Sequence, residues 1–193
     1  MPIHVDIDQR RRDIAEATFA VAAREGMAAV TLRSVAQQLN ASTTTITNYL
    51  PTRTELLVNA VEQIGQEWLE ELDDILADGE GPAGLRRLMR ATVTWDHAEQ
   101  LRCSFWVALL SARGRSPEVD QHLIDTSVAV HSVIQRVVAA CGHPAPDVAA
   151  DLLFLFAQGA FVSIVEAPRE WPVSRLVAAA DAVTDSALAA ASA

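Results

Sequence analysis

Five hydroxyl side chains lie between Ser42 and Thr47, and an amide and a phenol follow at Asn48 and Tyr49. Short hydroxyl side chains at the start of a helix contact phosphates or base edges, and threonine methyl groups contact the methyl group of thymine. An asparagine amide pairs with an adenine edge, and a tyrosine hydroxyl binds a phosphate. These residue types therefore indicate a segment that contacts DNA.

The residues before this segment predict how it is held. Thr31 caps a helix whose apolar residues follow the spacing of one buried face, namely Leu32, Val35, Ala36 and Leu39. Asn40 ends that helix because asparagine tolerates the left-handed backbone conformation, and Ser42 is the N-cap of the next helix. The gap between the two helices is so short that we predict a helix-turn-helix.

The second of these helices is predicted from Thr43 to Leu50. Its β-branched threonines favour a strand or a loop by intrinsic propensity. Ala41, Ile46 and Leu50 nevertheless supply apolar anchors at helical spacing, and local rules are often broken at functional positions. We therefore expect a recognition helix here.

A longer helix is expected to begin at Arg53. Thr52 and Glu55 form a T-x-x-E capping box, and Pro51 discourages the preceding helix from continuing. The combined pattern S-x-x-T-I-x-x-Y-L-P-x-R-x-E-L-L, preceded by T-L-R-x-V-A and by a helix ending in E-G, resembles the DNA-binding domain of the TetR family of bacterial transcriptional repressors. The resemblance covers roughly the first third of the chain, and several elements occur in the right order and spacing.

The resemblance implies an all-α protein of about nine helices. It assigns residues 8–68 to a DNA-binding domain with its helix-turn-helix at 31–50, and residues 69–193 to a helical effector-binding and dimerisation domain. Together with the residue types, it selects ten residues for DNA contact: Thr31, Arg33, Ser42, Thr43, Thr44, Thr45, Thr47, Asn48, Tyr49 and Arg53.

The chain departs from the family pattern at four positions. Asn40 stands where the family usually has Gly, and Leu50 where it has Phe. Thr47 replaces an aromatic residue that often contacts the DNA backbone, so this phosphate contact is not expected from Thr47 in the same form. Arg53 replaces Lys, which keeps the charge and adds a planar fork suited to phosphate.

The net charge of −10 is unevenly distributed. Residues 1–57 hold six Arg and six acidic residues, and the rest of the chain holds nine Arg and nineteen acidic residues. A neutral N-terminal segment on an acidic body suits a protein that presents one end to DNA. Arg10, Arg11 and Arg12 at the start of the first helix either approach the DNA backbone or form a solvated cluster.

The remaining sequence is helical in pattern. The first helix is predicted from Asp8 to Glu25, and the helix from Arg53 extends through Leu76 to a break at Gly79. Further helices are predicted at 85–98, 101–113, 117–141, 146–165 and 172–191. The last two are so apolar that they must be covered on nearly every side. The family pairs its last two helices between subunits, so we expect a homodimer that binds a palindromic operator.

Most aromatic residues fall in the C-terminal body, where core packing is their commonest role. Collectively they also favour an apolar effector cavity between helices, with a few polar groups. The candidate residues are Trp68, Trp95, Cys103, Phe105, Trp106, His131, Phe154, Gln158 and Phe161. The Phe105-Trp106 pair resembles the C-terminal domain of the choline- and betaine-linked branch of the family.

These observations predict a DNA-binding repressor that a small apolar or amphipathic effector releases from its operator. A helix-turn-helix scaffold without an effector is the main alternative, and an all-helical enzyme is the third. No paired carboxylates, nucleophile–base signature or metal triad supports an enzyme, and no cofactor or metal is expected. The chain shows no apolar run long enough to span a membrane and no signal-peptide core at its start, so a cytoplasmic location is expected.

Overall fold

A computed structural model describes residues 6–94 and 96–191, except for the side chain of His97. Its regular elements in this part of the chain are all helical, which confirms the predicted all-α class. The helices are α1 (Ile7–Glu25), α2 (Leu32–Gln38), α3 (Thr43–Thr47), α4 (Arg53–Leu76), α5 (Pro82–Ala91), α6 (His97–Leu110), α7 (Pro117–Ala140), α8 (Pro146–Glu166) and α9 (Val173–Ala191), with one 3₁₀ turn at Met27–Ala29.

The turn between α2 and α3 is closed by main-chain hydrogen bonds. Asn40 has a positive φ of 52°, as its residue type predicts. The N–H of Ala41 donates to the carbonyl of Ala36 at 2.9 Å, which is the long-range bond of a Schellman motif. Ser42 then caps α3 by accepting the N–H of Thr45 at 3.1 Å. The predicted helix-turn-helix is therefore present.

Helix α3 is shorter than the predicted span to Leu50 and ends at Thr47. The N–H groups of Tyr49 and Leu50 both donate to the carbonyl of Ile46, so the chain tightens into a turn after α3. Two features explain the early end. The β-branched run lowers helix propensity, and Pro51 disfavours a helical backbone at the residue before it.

The capping box at the start of α4 is confirmed. The N–H of Glu55 donates to Thr52 Oγ1 at 3.2 Å, and the N–H of Thr52 donates to Glu55 Oε2 at 2.8 Å.

The helix predicted at 85–98 is wrong in its bounds, because α5 ends at Ala91 and α6 begins at His97. Thr92 and Thr94 bond their hydroxyls back to helix carbonyls, and Asp96 accepts the N–H of Glu99 at 2.8 Å.

The chain divides into two compact units. The first contains the residues up to Glu67 together with Leu101–Asp125, and the second contains Trp68–Gln100 and the residues from Thr126 onward. This division and the predicted domains share a break near residue 68 and differ over Leu101–Asp125. The core of the first unit includes Phe19, whose ring meets that of Phe105 edge to face at 5.1 Å.

In the second unit, α5 packs against α9 and α8 packs against α9. Leu85, Leu88 and Met89 of α5 lie in one core cluster with Leu153 of α8 and Leu188 of α9. At the edge of this packing, the guanidinium of Arg90 donates to both carboxylate oxygens of Asp181, at 2.6 and 2.8 Å. This hydrogen-bonded pair holds the pKa of Asp181 below its usual value.

Two helices correct the expectation that no apolar run could cross a membrane. By length and composition alone, α7 and α8 are both long and apolar enough to do so. Each also packs into the core of the second unit, α7 through residues such as Val137 and α8 through Leu153. Core and interface helices of soluble proteins have the same composition, so this property does not by itself indicate a membrane span.

Candidate nucleic-acid interface

Four of the predicted DNA-contacting hydroxyls take part in hydrogen bonds that build the helix-turn-helix. Thr31 Oγ1 accepts the N–H of Ser34 at 3.1 Å, and the hydroxyls of Ser42 and Thr45 lie 2.8 Å apart. Thr47 Oγ1 donates to the carbonyl of Thr44 at 3.2 Å. These groups hold the motif in shape, and a DNA contact by any of them stays a prediction.

Arg53 is also engaged within the fold. Its Nε donates to the carbonyl of Val30 and its Nη2 to the carbonyl of Met27, both at 2.8 Å. These bonds tie the start of α4 to the segment before α2. The fork that the sequence assigned to a phosphate is therefore largely occupied by main-chain oxygens, although the side chain is exposed. Arg53 is better described as a residue that positions the helix-turn-helix.

The predicted phosphate ligand Tyr49 lines an open cleft of about 150 Å³ in the first unit, together with Arg11, Leu50, Glu55, Val58, Asn59 and Glu62. Asn59 is 1% exposed and donates its Nδ2 to the carbonyl of Arg11 at 3.0 Å. Its Oδ1 has no hydrogen-bond partner among the described residues. A buried acceptor beside a cleft is a position that an ordered water fills in many proteins.

The other four predicted residues have free side chains. Arg33 on α2, Thr43 and Thr44 on α3, and Asn48 directly after α3 are all exposed. Within the described part of the chain, none of these four side chains has a hydrogen-bond or ion-pair partner. We call these four residues the reading face. They are exposed members of the predicted DNA-contacting set, and they can bind a ligand without breaking an existing bond.

One exposed neighbour was missed by the sequence analysis. Gln37 lies one helical turn after Arg33 on α2 and is also exposed. The i, i+4 spacing from Arg33 was the signal that could have found it. The adjacent Gln38 differs, because Arg24 binds its amide oxygen at 2.8 Å while also pairing with Glu25.

The N-terminal arginines are divided in their contacts. Arg10 lies 3.8 Å from a carboxylate oxygen of Asp13, and Arg12 donates to Gln9 at 3.1 Å. Arg11 lines the cleft beside Tyr49. Solvated pairs thus account for two of the three, while Arg11 retains a side chain without a partner in the described residues.

Five of the predicted effector residues belong to the second unit. The rings of Trp68 and Phe161 meet edge to face at 5.7 Å. His131 meets Phe154 in the same way at 5.2 Å and lies 2.8 Å from a carboxylate oxygen of Asp151. Trp68 Nε1 donates to Glu99 at 2.6 Å, and Gln158 is partly buried on α8.

Three further effector candidates, Cys103, Phe105 and Trp106, belong to the first unit and are at most 2% exposed. Such burial is that of core residues. Trp95, the remaining candidate, lies outside the described residues, and so does the side chain of the nearby His97, whose polar ring would also suit such a pocket. The effector pocket as a whole stays a prediction.

Comparison with known proteins gives two curated relatives. The chain is 32% identical over 75 residues to the HTH-type transcriptional regulator PksA of Bacillus subtilis, and 33% identical over 82 residues to the HTH-type transcriptional repressor KstR of Rhodococcus jostii. These matches cover 39% and 42% of this chain, but only 37% and 35% of the relatives. The chain matches no protein-family model.

Solved structures match over nearly the whole chain. A transcriptional regulator from Rhodococcus sp. RHA1 superimposes with a TM-score of 0.83 at 21% identity, covering 93% of this chain and 96% of that one. A protein of Mesorhizobium loti described as a TetR-family regulator gives 0.78 at 14% identity, over 96% and 98%. A regulator from Saccharomonospora viridis in complex with choline gives 0.77 at 17% identity, over 92% and 96%.

Proposed function

We propose that this protein, which has the fold of the TetR-family transcriptional regulators, is a sequence-specific DNA-binding regulator of transcription. The observation that carries the proposal is the reading face: Arg33, Thr43, Thr44 and Asn48 are exposed, and their side chains have no partner among the described residues. The hydroxyls of the same motif at Thr31, Ser42, Thr45 and Thr47 are bonded internally. Both curated relatives are HTH-type regulators, one of them a repressor. These relatives are regulators and not enzymes, which argues against the enzyme alternative.

The distribution of charge supports DNA contact through the helix-turn-helix end only. Residues 1–57 are formally neutral and the rest of the chain carries the whole charge of −10. Phosphates repel an acidic surface, so such a chain binds DNA weakly except where specific contacts form. Low non-specific affinity favours selectivity among the many competing sites of a genome.

We further propose that the protein acts as a homodimer through α8 and α9. One face of α8 lies in the core, yet the opposite face exposes Val148, Leu152, Leu155 and Val162, of which Leu155 is 64% exposed. Together with Gly159, where a Cβ would meet open space, these residues recur every three or four positions. Such an apolar stripe favours a second copy of the same helix.

The effector is proposed to be small and apolar or amphipathic. Support comes from the paired aromatic rings of the second unit, Trp68 with Phe161 and His131 with Phe154, and from the choline complex of the Saccharomonospora viridis protein. An effector that binds one conformation more tightly lowers operator affinity by the coupling free energy, typically about 1–3 kcal/mol. The proposed regulator acts in the cytoplasm. It represses transcription by binding a palindromic operator, and the effector releases it.

Selection of bound sequences from a random duplex library, with the purified protein, tests this function. We expect a palindrome with half-site centres roughly one DNA turn apart, or a multiple of it. Affinity for that palindrome should fall roughly tenfold or more between 50 and 200 mM salt, because phosphate contacts release counterions. Choline and acyl-chain amphiphiles, added singly, then test the effector part.

Two variants make the test specific. Thr44→Ala should weaken operator binding by about fivefold or more with the circular dichroism spectrum unchanged, because it removes one contact to the DNA. Ser132→Ala is the matched control, since it removes a hydroxyl from an exposed helix position outside the helix-turn-helix. If a folded protein enriches no sequence, the scaffold alternative replaces this proposal.

A further inference from the structure

The outward side of α3 is formed by two residues, Thr44 and Asn48. Ile46 is fully buried and anchors α3 to the first unit. Thr44 and Asn48 each lie two positions from Ile46, which places them on the opposite side of a helix with 3.6 residues per turn. Asn48 has φ −66° and ψ −22°, so the helical direction continues through it. Both residues are exposed.

The two side chains offer one kind of readout each. Asn48 presents an amide whose donor and acceptor match N7 and N6 of adenine in the major groove. Thr44 presents a methyl group that matches the C5 methyl of thymine, and its hydroxyl donates or accepts. Their neighbours Thr45 and Thr47 have hydroxyls bonded within the motif, at 2.8 and 3.2 Å. The free recognition chemistry on this side of α3 is therefore an amide and a methyl-bearing hydroxyl.

The group that most often reads guanine is missing from α3. Arginine or lysine binds guanine O6 and N7 as a fork, and no residue from Thr43 to Leu50 is basic. The neighbouring cations Arg24 and Arg53 are held by Glu25, Gln38 and two main-chain carbonyls. Arg33 on α2 is the exposed cation of the helix-turn-helix whose side chain has no partner in the described residues.

We propose that α3 selects A·T base pairs, with Asn48 on an adenine and Thr44 on a thymine of the same half-site. Side chains four residues apart are separated by about 6 Å along a helix axis, which corresponds to roughly two base-pair steps. The adenine and the thymine therefore lie within about two steps of each other. This inference rests on the proposed function and adds to it the base composition of the operator core.

The thymine contact is tested by replacing thymine with uracil, which lacks only the C5 methyl group. In the selected operator, this change at one half-site position should lower the affinity of the wild-type protein about three- to fivefold. It should have no effect on Thr44→Ser, which lacks the partner methyl. Thr94→Ser is the matched control, because it makes the same change at an exposed threonine outside the helix-turn-helix and should respond to uracil as the wild type does.

The adenine contact is tested with 7-deazaadenine, which keeps base pairing but removes the N7 acceptor. Substitution of the adenine assigned to Asn48 should weaken wild-type binding about tenfold and leave Asn48→Ala binding unchanged. The inference is overturned if the half-site core selects G·C pairs, or if either base change costs the same affinity in the variant as in the wild type. A palindrome with a G·C core overturns this inference alone, whereas failure to enrich any sequence overturns the proposed function with it.

Discussion

A charged residue at a motif position that suggests ligand binding can instead form hydrogen bonds within the fold. Arg53 occupies a position at which the sequence suggested a phosphate contact. Two of its nitrogens instead donate hydrogen bonds to the main-chain carbonyls of Val30 and Met27. Charged donors make stronger hydrogen bonds than neutral ones, so these bonds hold the start of α4 firmly to the segment before α2. The same side chain therefore shapes the reading face without belonging to it.

Asn59 is a neutral residue that joins two helices through a buried hydrogen bond. Its Nδ2 joins α4 to the α1 carbonyl of Arg11 in a setting that is 1% exposed. Asn59→Asp replaces the donor with a carboxylate and buries a charge, so unfolding free energy in urea should fall by about 3 kcal/mol or more.

Asn59→Ala is the control for that measurement. It removes both the bond and the unpartnered oxygen, so its cost should be smaller, about 1–2 kcal/mol. Equal destabilisation by the two variants would mean that the carboxylate reaches solvent through the cleft beside it and that Asn59 is not effectively buried.

At the scale of elements, the N-caps of helices were predictable from sequence. The helix C-termini were less so, because they depend on side chains that bond back to helix carbonyls. Thr31, Ser42 and the Thr52–Glu55 pair were identified from sequence because capping needs only a short polar side chain at a fixed spacing. The end of α5 at Ala91 was missed, since Thr92 and Thr94 end it by bonding back to carbonyls, which spacing does not reveal.

The candidate site was predictable to a similar degree. The sequence predicted the helix-turn-helix where the structure has it, but it could not distinguish hydroxyls that build the turn from those left free. Ser42, Thr45 and Thr44 are alike in type, and only the observed hydrogen bonds separate them. The effector residues were grouped by aromatic character alone, and that property does not tell core packing from a cavity.

Near the start of α5, Gly84 lies so close to the main chain of Gly79 that an added methyl group would clash with it. A Cβ at Gly84 would lie 2.3 Å from the main-chain oxygen of Gly79. Gly84→Ala should therefore destabilise the second unit by about 1–3 kcal/mol, although alanine favours helices. Gly81→Ala is the control, because nothing lies within 4 Å of a Cβ there. Thermal unfolding followed by circular dichroism compares them, and an unchanged or raised midpoint for Gly84→Ala would show that the loop yields.

At the scale of the whole molecule, the apolar character of α8 has two competing explanations. A helix with a core face and an exposed apolar face is suited to an interface between subunits, and its composition also resembles a membrane span. The two explanations differ in where the exposed stripe of Val148, Leu152, Leu155 and Val162 goes. A dimer buries it against protein and needs no lipid, so the wild-type chain should be a dimer in aqueous buffer without detergent.

Leu155→Asp separates these explanations, because Leu155 is 64% exposed and its replacement leaves the buried α8 residues, such as Leu153, unchanged. A carboxylate at the centre of an apolar interface is desolvated without a partner, so sedimentation equilibrium should show monomers with unchanged helix content. Operator affinity should fall with dimerisation, since a monomer reaches one half-site. Ile7→Asp, at a residue 61% exposed on α1, should leave the dimer intact. A dimeric Leu155→Asp variant would place the interface elsewhere, and a wild-type chain that stays in solution only with detergent would favour the membrane explanation.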